Sequence, residues 1–317
     1  MDMHGNGLAR KNRLTTAQEC STLAALIALG PSLPLGIEAV LSIDPSNLNC
    51  ELQQAAQAIR EADALLIGAG AGMGVDSGLP DFRGAEGFWK AYPPFRGRQF
   101  SDLSTPHWFK TDPALAWGFF GHRLNLYRSK DPHPGFEILR RLGEARPFGY
   151  FVFTSNVDGH FQRAGFPEDR VLECHGSIHH LQCVRKCGQP IWAADEVRID
   201  IDEAAIRALS DLPRCPNCQD LARPNILMFG DWDWALDRYL QQRDRYRAWL
   251  RRVEGRRVVA IELGAGLAIP TVRVECEQQS QVLIRINPRE AETTKGNISL
   301  PIGALDALNG IAKYLLA

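Results

Sequence analysis

The sequence lacks an excess of either charge and any long apolar run. Its 317 residues carry 36 Lys and Arg against 37 Asp and Glu, a formal net charge of -1. No global basic field therefore draws in nucleic acid or anionic lipid, and no basic run is long enough to do so locally. Neither nucleic acid nor a membrane is expected as a partner, and a small or locally recognised one is favoured. No hydrophobic stretch approaches the roughly 20 residues of a membrane span. Leu23 to Gly30 is apolar and follows Arg10, Lys11 and Arg13, as in an export signal, but Pro31, Pro34 and Glu38 come soon after it. Internal repeats and low-complexity tracts are absent too, so one large domain, or a large and a small one, has to account for the length. Eight cysteines are too few for a disulfide scaffold, and four of them form two close pairs, which in a reducing compartment read as metal ligands. The expected location is the cytoplasm. Residues 1–45 read as an extension or helical appendage.

What is present is an alternation. Short apolar runs bounded by turn signals, at Ala64 to Ile67, Phe148 to Phe153, Val171 to Glu173, Val258 to Leu263 and Val282 to Ile286, read as buried strands. Helical periodicity lies between them at Leu52 to Ala62, Ala114 to Tyr127, Phe136 to Leu142 and Ala304 to Leu315. Alternating β and α argues for an α/β fold, a doubly wound parallel sheet covered on both faces. Residues 46–87, 131–182 and 223–317 are assigned to that large unit. Two segments break the alternation, 88–130, rich in aromatics and Pro, and 183–222, with the paired cysteines. They read as insertions forming a smaller domain.

In such a sheet, glycines just after the first strand let backbone N–H groups approach a pyrophosphate. Gly68, Gly70, Gly72 and Gly74 occupy that place, although the strict G-x-G-x-x-G spacing fails at Met73 and Val75, and a tight strand-to-helix turn explains them as well. Pro80 then fixes a turn, and Asp81, Phe82 and Arg83 add an acceptor, an apolar face and a forked donor. In Thr154 to His160, Asn156 and Asp158 share one side of an extended segment, unless an Asx-turn is their whole role. His175 at a strand end is a candidate general base, against a packed histidine as the plain reading. Its neighbour Cys174 points to the other face, so a Cys-His nucleophile is not expected. Cys183-x3-Cys187 and Cys215-x2-Cys218, 27 residues apart, supply the four soft ligands of a closed structural zinc site, with His179 and His180 as weaker competitors.

Taken in order, Gly68-Ala69-Gly70, Gly78 to Gly84, Asn156-Val157-Asp158-Gly159, His175-Gly176, the four cysteines, Arg223-Pro224-Asn225, Phe229-Gly230-Asp231, Gly264-Ala265-Gly266 and Ile286-Asn287 resemble the sirtuin family of NAD-dependent protein deacylases, from about residue 52 to the end. The resemblance implies a Rossmann-like domain with a smaller zinc-binding domain, and NAD with an acylated lysine of a protein or peptide between them. It assigns the cofactor to Gly68, Ala69, Gly70, Asp81, Phe82, Arg83, Ser155, Asn156, Asp158, Gly264, Ala265, Gly266 and Asn287, the last at the adenosine end. Asn156 and Asp158 would line the nicotinamide pocket, and His175 would be the general base on a ribose hydroxyl. Phe229-Gly230-Asp231 would offer a strand edge to the substrate peptide. Phe120 and Arg123 fall where members preferring acidic acyl groups carry a tyrosine and an arginine. Three departures stand out. Ser155 replaces a glutamine, Gly264-Ala265-Gly266 replaces Gly-Thr-Ser and so removes two hydroxyl donors, and Asp231 replaces a glutamate. Two other readings compete: an NAD hydrolase or mono-ADP-ribosyltransferase using the same pocket, and a non-catalytic zinc-ribbon binding module.

Overall fold

The computed structural model describes residues 45–81, 88, 90 and 92–316. Phe82 and Arg83 of the expected cofactor loop, and the segment before residue 45, lie outside the described residues. The principal elements in chain order are α1 (Pro45–Arg60), β1 (Ala64–Ala69), α2 (Pro113–Ser129), α3 (Gly135–Glu144), β2 (Tyr150–Thr154), β3 (Val171–Glu173), β4 (Gly176–Cys183), β5 (Trp192–Ala193), β6 (Ile201–Asp202), β7 (Arg207–Ala208), β8 (Ala222–Ile226), α4 (Asp237–Arg252), β9 (Val258–Leu263), α5 (Thr271–Gln279), β10 (Val282–Ile286), β11 (Ile298–Leu300) and α6 (Ala304–Leu316). Among the described residues no helix is long and apolar enough to cross a membrane.

Six parallel strands form the main sheet in the order β11-β10-β9-β1-β2-β3. Every residue of β1 and of β9 is buried, which is why their sequences are apolar runs rather than alternations. Leu65, Ile67 and Ala69 face a core completed by α1, α3 and α6. Ala64 and Leu66 face the opposite core, against Tyr246 and Trp249 of α4 and Val272 and Cys276 of α5. Each such Leu or Ile contributes roughly 1.5–3 kcal/mol by leaving water. One charged pair lies inside the sheet: Arg285 of β10 meets Glu262 of β9 through two hydrogen bonds of 2.7 and 2.9 Å, across registered positions. A buried pair needs this two-bond geometry to offset its desolvation.

The two irregular segments share one core. Phe88, Tyr92 and Phe95 and the inner face of α2 pack with Ile178, Leu181, Ile199, Ile206 and Ile226, around the antiparallel sheet β5-β4-β8 and the hairpin β6-β7. Asp112 caps α2 by accepting from the Leu115 N–H at 3.2 Å, with Pro113 at the first helical position. The small sheet reaches beyond the expected 183–222 segment on both sides, because β4 starts at Gly176 and β8 runs to Ile226. These flanking strands pair with each other, from Gly176 opposite Ile226 to Cys183 opposite Ala222, instead of joining the parallel sheet. The chain between Cys187 and Cys215 lies along α2. Arg128 donates to the carbonyls of Val197 and Ala194 at 2.6 and 2.7 Å. Asn125 donates to Ile199 at 2.9 Å, and Arg207 grips Asp112 with two bonds of 2.8 and 2.9 Å.

Candidate active site

Strand order reverses between β1 and β9, so the chain leaves their carboxyl ends in opposite directions and opens a crevice there. The loops after these two strands touch. Gly70 N donates to Leu263 O at 2.9 Å and Gly72 N to Gly264 O at 3.1 Å. A Cβ on Gly72 would lie 2.6 Å from the Gly264 Cα, so the approach is open only to glycine. Gly68 and Ala69 do not reach the crevice, contrary to expectation. Gly68 is still inside β1, where a Cβ would collide with Cys276 Sγ of α5. Ala69 is buried, and its carbonyl accepts from Ser155 N and Thr154 Oγ1, both at 3.0 Å.

A cleft of about 230 Å³ lies at this edge, lined by Gly70, Asp81, Ser155, Asn156, Asp158, His175, Ala265 and Gly266, with Arg123, Tyr127 and Phe229 on the small-unit side. A second, of about 160 Å³, adjoins it, lined by Gly264, Asn287, Arg289 and again Asp81. Arg289 Nη2 reaches Asp81 Oδ2 at 3.3 Å.

His175 lies in the turn after β3, two residues past its end. Burial drives its pKa down to about 4, partly opposed by a hydrogen bond to the Ser155 carbonyl. Its Nε2 is buried with no hydrogen-bond partner among the described residues, which assigns the Ser155 bond to Nδ1–H and leaves Nε2 a neutral acceptor. Cys174 faces the opposite core beside Tyr246 and Cys276, where burial pushes its thiol pKa up. Asn156 uses its amide to hold the Gly70 carbonyl at 2.9 Å. Asp158 is buried and does form the Asx-turn, accepting from His160 N at 2.9 Å, while lining the cleft as well. His179 Nε2 lies 2.8 Å from the Asp158 carbonyl, which occupies that nitrogen away from the cysteines.

On the substrate side the structure differs from expectation at four residues. Phe120 is fully buried among Phe109, Phe119 and Trp117 and does not line the cleft. Arg123 was expected to stand without a tyrosine hydroxyl, but Tyr127, one helical turn on, supplies one, its Oη accepting from Arg123 Nε and Nη2 at 3.1 and 3.0 Å. This spacing on α2 was legible, since residues four apart share a helix face. Arg123 is 5 % exposed, and its guanidinium lies 5.4 to 5.7 Å from the rings of Phe100, Phe119, Phe120 and Tyr127. Phe229 and Gly230 form a turn, with φ of 65° at Gly230, and not a strand edge. Phe229 N is taken by Ser104 O at 2.9 Å. Asp231 is turned inward onto the buried Arg223 and accepts from Asp233 N at 3.1 Å, so it shapes the turn and does not face a ligand. The apolar lining from Phe100, Leu227, Ile269 and Val272 carries no sequence signal of its own.

The four cysteines of the small unit converge. Cys183 Sγ lies 3.6 Å from Cys218 Sγ, Cys187 Sγ 3.5 Å from Cys215 Sγ, and all four sulfurs fall within 4.8 Å of one another. A tetrahedral thiolate site with metal–sulfur bonds of about 2.3 Å spaces its sulfurs about 3.8 Å apart, so the donor set fits one closed metal centre.

The model of the Sir2 family matches residues 70–245, more than half of the chain. The chain belongs to the Sir2 family. Among Sir2-like relatives, the NAD-dependent protein deacylase of Leptospira interrogans is 35 % identical over 163 residues, 51 % of this chain and 58 % of that protein. NAD-dependent protein deacylase 2 of Pyrobaculum aerophilum is 36 % identical over 166 residues, 52 % of this chain and 58 % of that one. The matches thus span somewhat over half the length of these relatives. Among solved structures, a Sir2 homolog–NAD complex superposes with a TM-score of 0.61 at 22 % identity, covering 83 % of this chain and 93 % of the other. A mutant Sir2 homologue bound to ADP-ribose gives 0.61 at 24 % identity over 86 % and 97 %. At these identities the structures establish the shared Sir2 fold.

Proposed function

We propose that the protein is an NAD-dependent protein-lysine deacylase, with NAD as co-substrate, a structural zinc on Cys183, Cys187, Cys215 and Cys218, and an acylated lysine of a protein or peptide as substrate. The observation that carries this reading is the His175 imidazole, half-buried and neutral, with a buried and unpartnered Nε2 in the cleft that Asn156 and Asp158 line. The cleft fits the cofactor. It lies at the sheet's switch point, its floor is backbone that only glycine permits, and a second cavity continues it past Asn287 for an adenosine end. NAD supplies the ribose carbon that exchanges its bond to nicotinamide for one to the acyl oxygen. The chain's own residues bind and move protons: His175 Nε2 accepts a ribose hydroxyl proton, Asn156 and Asp158 line the nicotinamide side, and Asp81 borders the junction of the two cavities. Sir2-family relatives carrying the deacylase name support the assignment. A closed four-thiolate site with no open position gives zinc a holding role only, and unoxidised thiol ligands suit the cytoplasm.

Arg123 and Tyr127 refine the substrate class. A buried guanidinium with a hydroxyl beside it in the cleft wall favours an acyl chain ending in a carboxylate, such as succinyl or malonyl. The turn at Phe229 and Gly230 favours a second reading, NAD hydrolysis or ADP-ribosyl transfer, because it offers no strand edge to a peptide. One panel separates them: acetyl-, succinyl- and malonyl-lysine peptides, each with and without NAD, read by mass spectrometry. Deacylation only with NAD, abolished in His175→Ala, is expected; nicotinamide release from NAD alone at the same rate as with peptide would overturn the deacylase reading.

A further inference from the structure

The Gly264-Ala265-Gly266 loop has no side-chain donor to offer a ligand, yet two of its residues line the larger cleft. What it can offer is backbone. Among the described residues neither Ala265 N–H nor Gly266 N–H finds an acceptor. On the buried side the Ala265 carbonyl is held by two donors, Arg273 Nη1 at 3.2 Å and Asn287 Nδ2 at 2.9 Å. Arg273 Nη1 also donates to the Glu290 carbonyl at 3.0 Å, so one guanidinium ties the loop after β9 to the loop after β10. Arg273 is 6 % exposed. Its carboxylate neighbour, Glu262 Oε1, is 3.9 Å away and already bonded to Arg285. An arginine placed for an ion pair alone would be expected to sit closer.

The peptide bond joining Ala265 and Gly266 is planar and trans, so its C=O and N–H point in opposite directions. With the carbonyl pinned inward, the Gly266 N–H is aimed outward, into the cleft. A cation on the carbonyl oxygen also polarises the amide, which strengthens that N–H as a donor. We propose that Arg273 is a positioning residue for cofactor binding: it orients and polarises the Gly266 N–H as a fixed hydrogen-bond donor to NAD, in place of the side-chain hydroxyls absent from this loop. The proposal rests on the NAD reading above.

The test is calorimetric titration of the purified zinc-loaded protein and its Arg273→Met and Arg273→Lys variants with NAD and with ADP-ribose, alongside steady-state kinetics. Arg273→Met leaves Glu262 paired with Arg285, and its Kd for both ligands is expected to rise about tenfold, as for loss of one charge-assisted contact. KM for NAD should rise in parallel, with kcat and acyl-peptide KM within about twofold of wild type, a split that general loosening would not give. Arg273→Lys keeps a cation beside Glu262 and should fall between the two, at about threefold. Unchanged Kd values in both variants, or equal losses in kcat and in both KM values, would overturn the proposal. Wild-type protein that fails to bind NAD overturns this inference and the function together. Wild-type protein that binds NAD but removes no acyl group overturns only the function, and the Kd series still decides the role of Arg273.

Discussion

His175 loses its charge by losing water. Its folded pKa, about 4 against an ordinary 6.5, comes from burial, and kcat/KM follows the ionisation of the free enzyme. The acid limb of the kcat/KM profile is therefore expected near pH 4, and a limb at 6.5 would remove burial as the controlling cause. Stability carries the same sign. The folded pKa lies below the unfolded one, so the unfolded chain binds more protons between the two values. Stability present above pH 6.5 is lost as the pH falls toward 4. The melting midpoint of wild type should drop more steeply than that of His175→Gln from about pH 7 to about pH 5. Across the cleft, Arg123→Met should lower kcat/KM for succinyl peptide roughly tenfold or more, with acetyl peptide changed by less than about threefold. Equal effects on both peptides would deny Arg123 contact with the acyl end. Arg123 is visible in the sequence as a candidate, whereas the inward turn of Asp231 onto Arg223 is not, because nothing local tells a buried carboxylate from an exposed one.

Elements were more legible than residues. Val171–Glu173, Val258–Leu263 and Val282–Ile286 stand at their expected bounds, since a strand buried on both faces writes itself as an uninterrupted apolar run. α1 starts at Pro45, seven residues before the apolar periodicity at Leu52, because its first turns are polar and give no periodic signal. The glycines of the first loop divide in a way spacing alone could not tell: Gly68 makes room for α5, while Gly70 and Gly72 make room for the loop after β9. Gly72→Ala would set a methyl 2.6 Å from the Gly264 Cα, where no flexible side chain can yield. It should destabilise the protein by about 1–3 kcal/mol in urea unfolding and weaken NAD binding by more than its loss of stability explains. A variant that binds NAD normally would show that the contact between the loops does not shape the cleft.

For the whole molecule, composition and alternation led to a parallel α/β sheet, and the paired cysteines led to a cluster of four sulfurs that fits a metal. Residues 88–130 and the cysteine segment were expected in one smaller unit, since both break the alternation, but the manner of their meeting was harder to read. It depends on β4 and β8 pairing across a long separation in sequence, and on α2, whose apolar residues surround it too fully to point to one partner. Metal analysis should find about one zinc per chain, and chelation should lower the melting midpoint. Hydrogen exchange should then rise first in residues 113–129 and 192–208, with β1 and β9 still protected; uniform exchange across both sheets would argue against a local role. The chain along α2 explains that order. Its two ends are Cys187 and Cys215, so a metal held by the four cysteines would work as the buckle of a splint, drawing residues 188–214 tight along the helix that carries Arg123 and Tyr127. Releasing that buckle should blunt the choice between acyl groups before it stops the reaction.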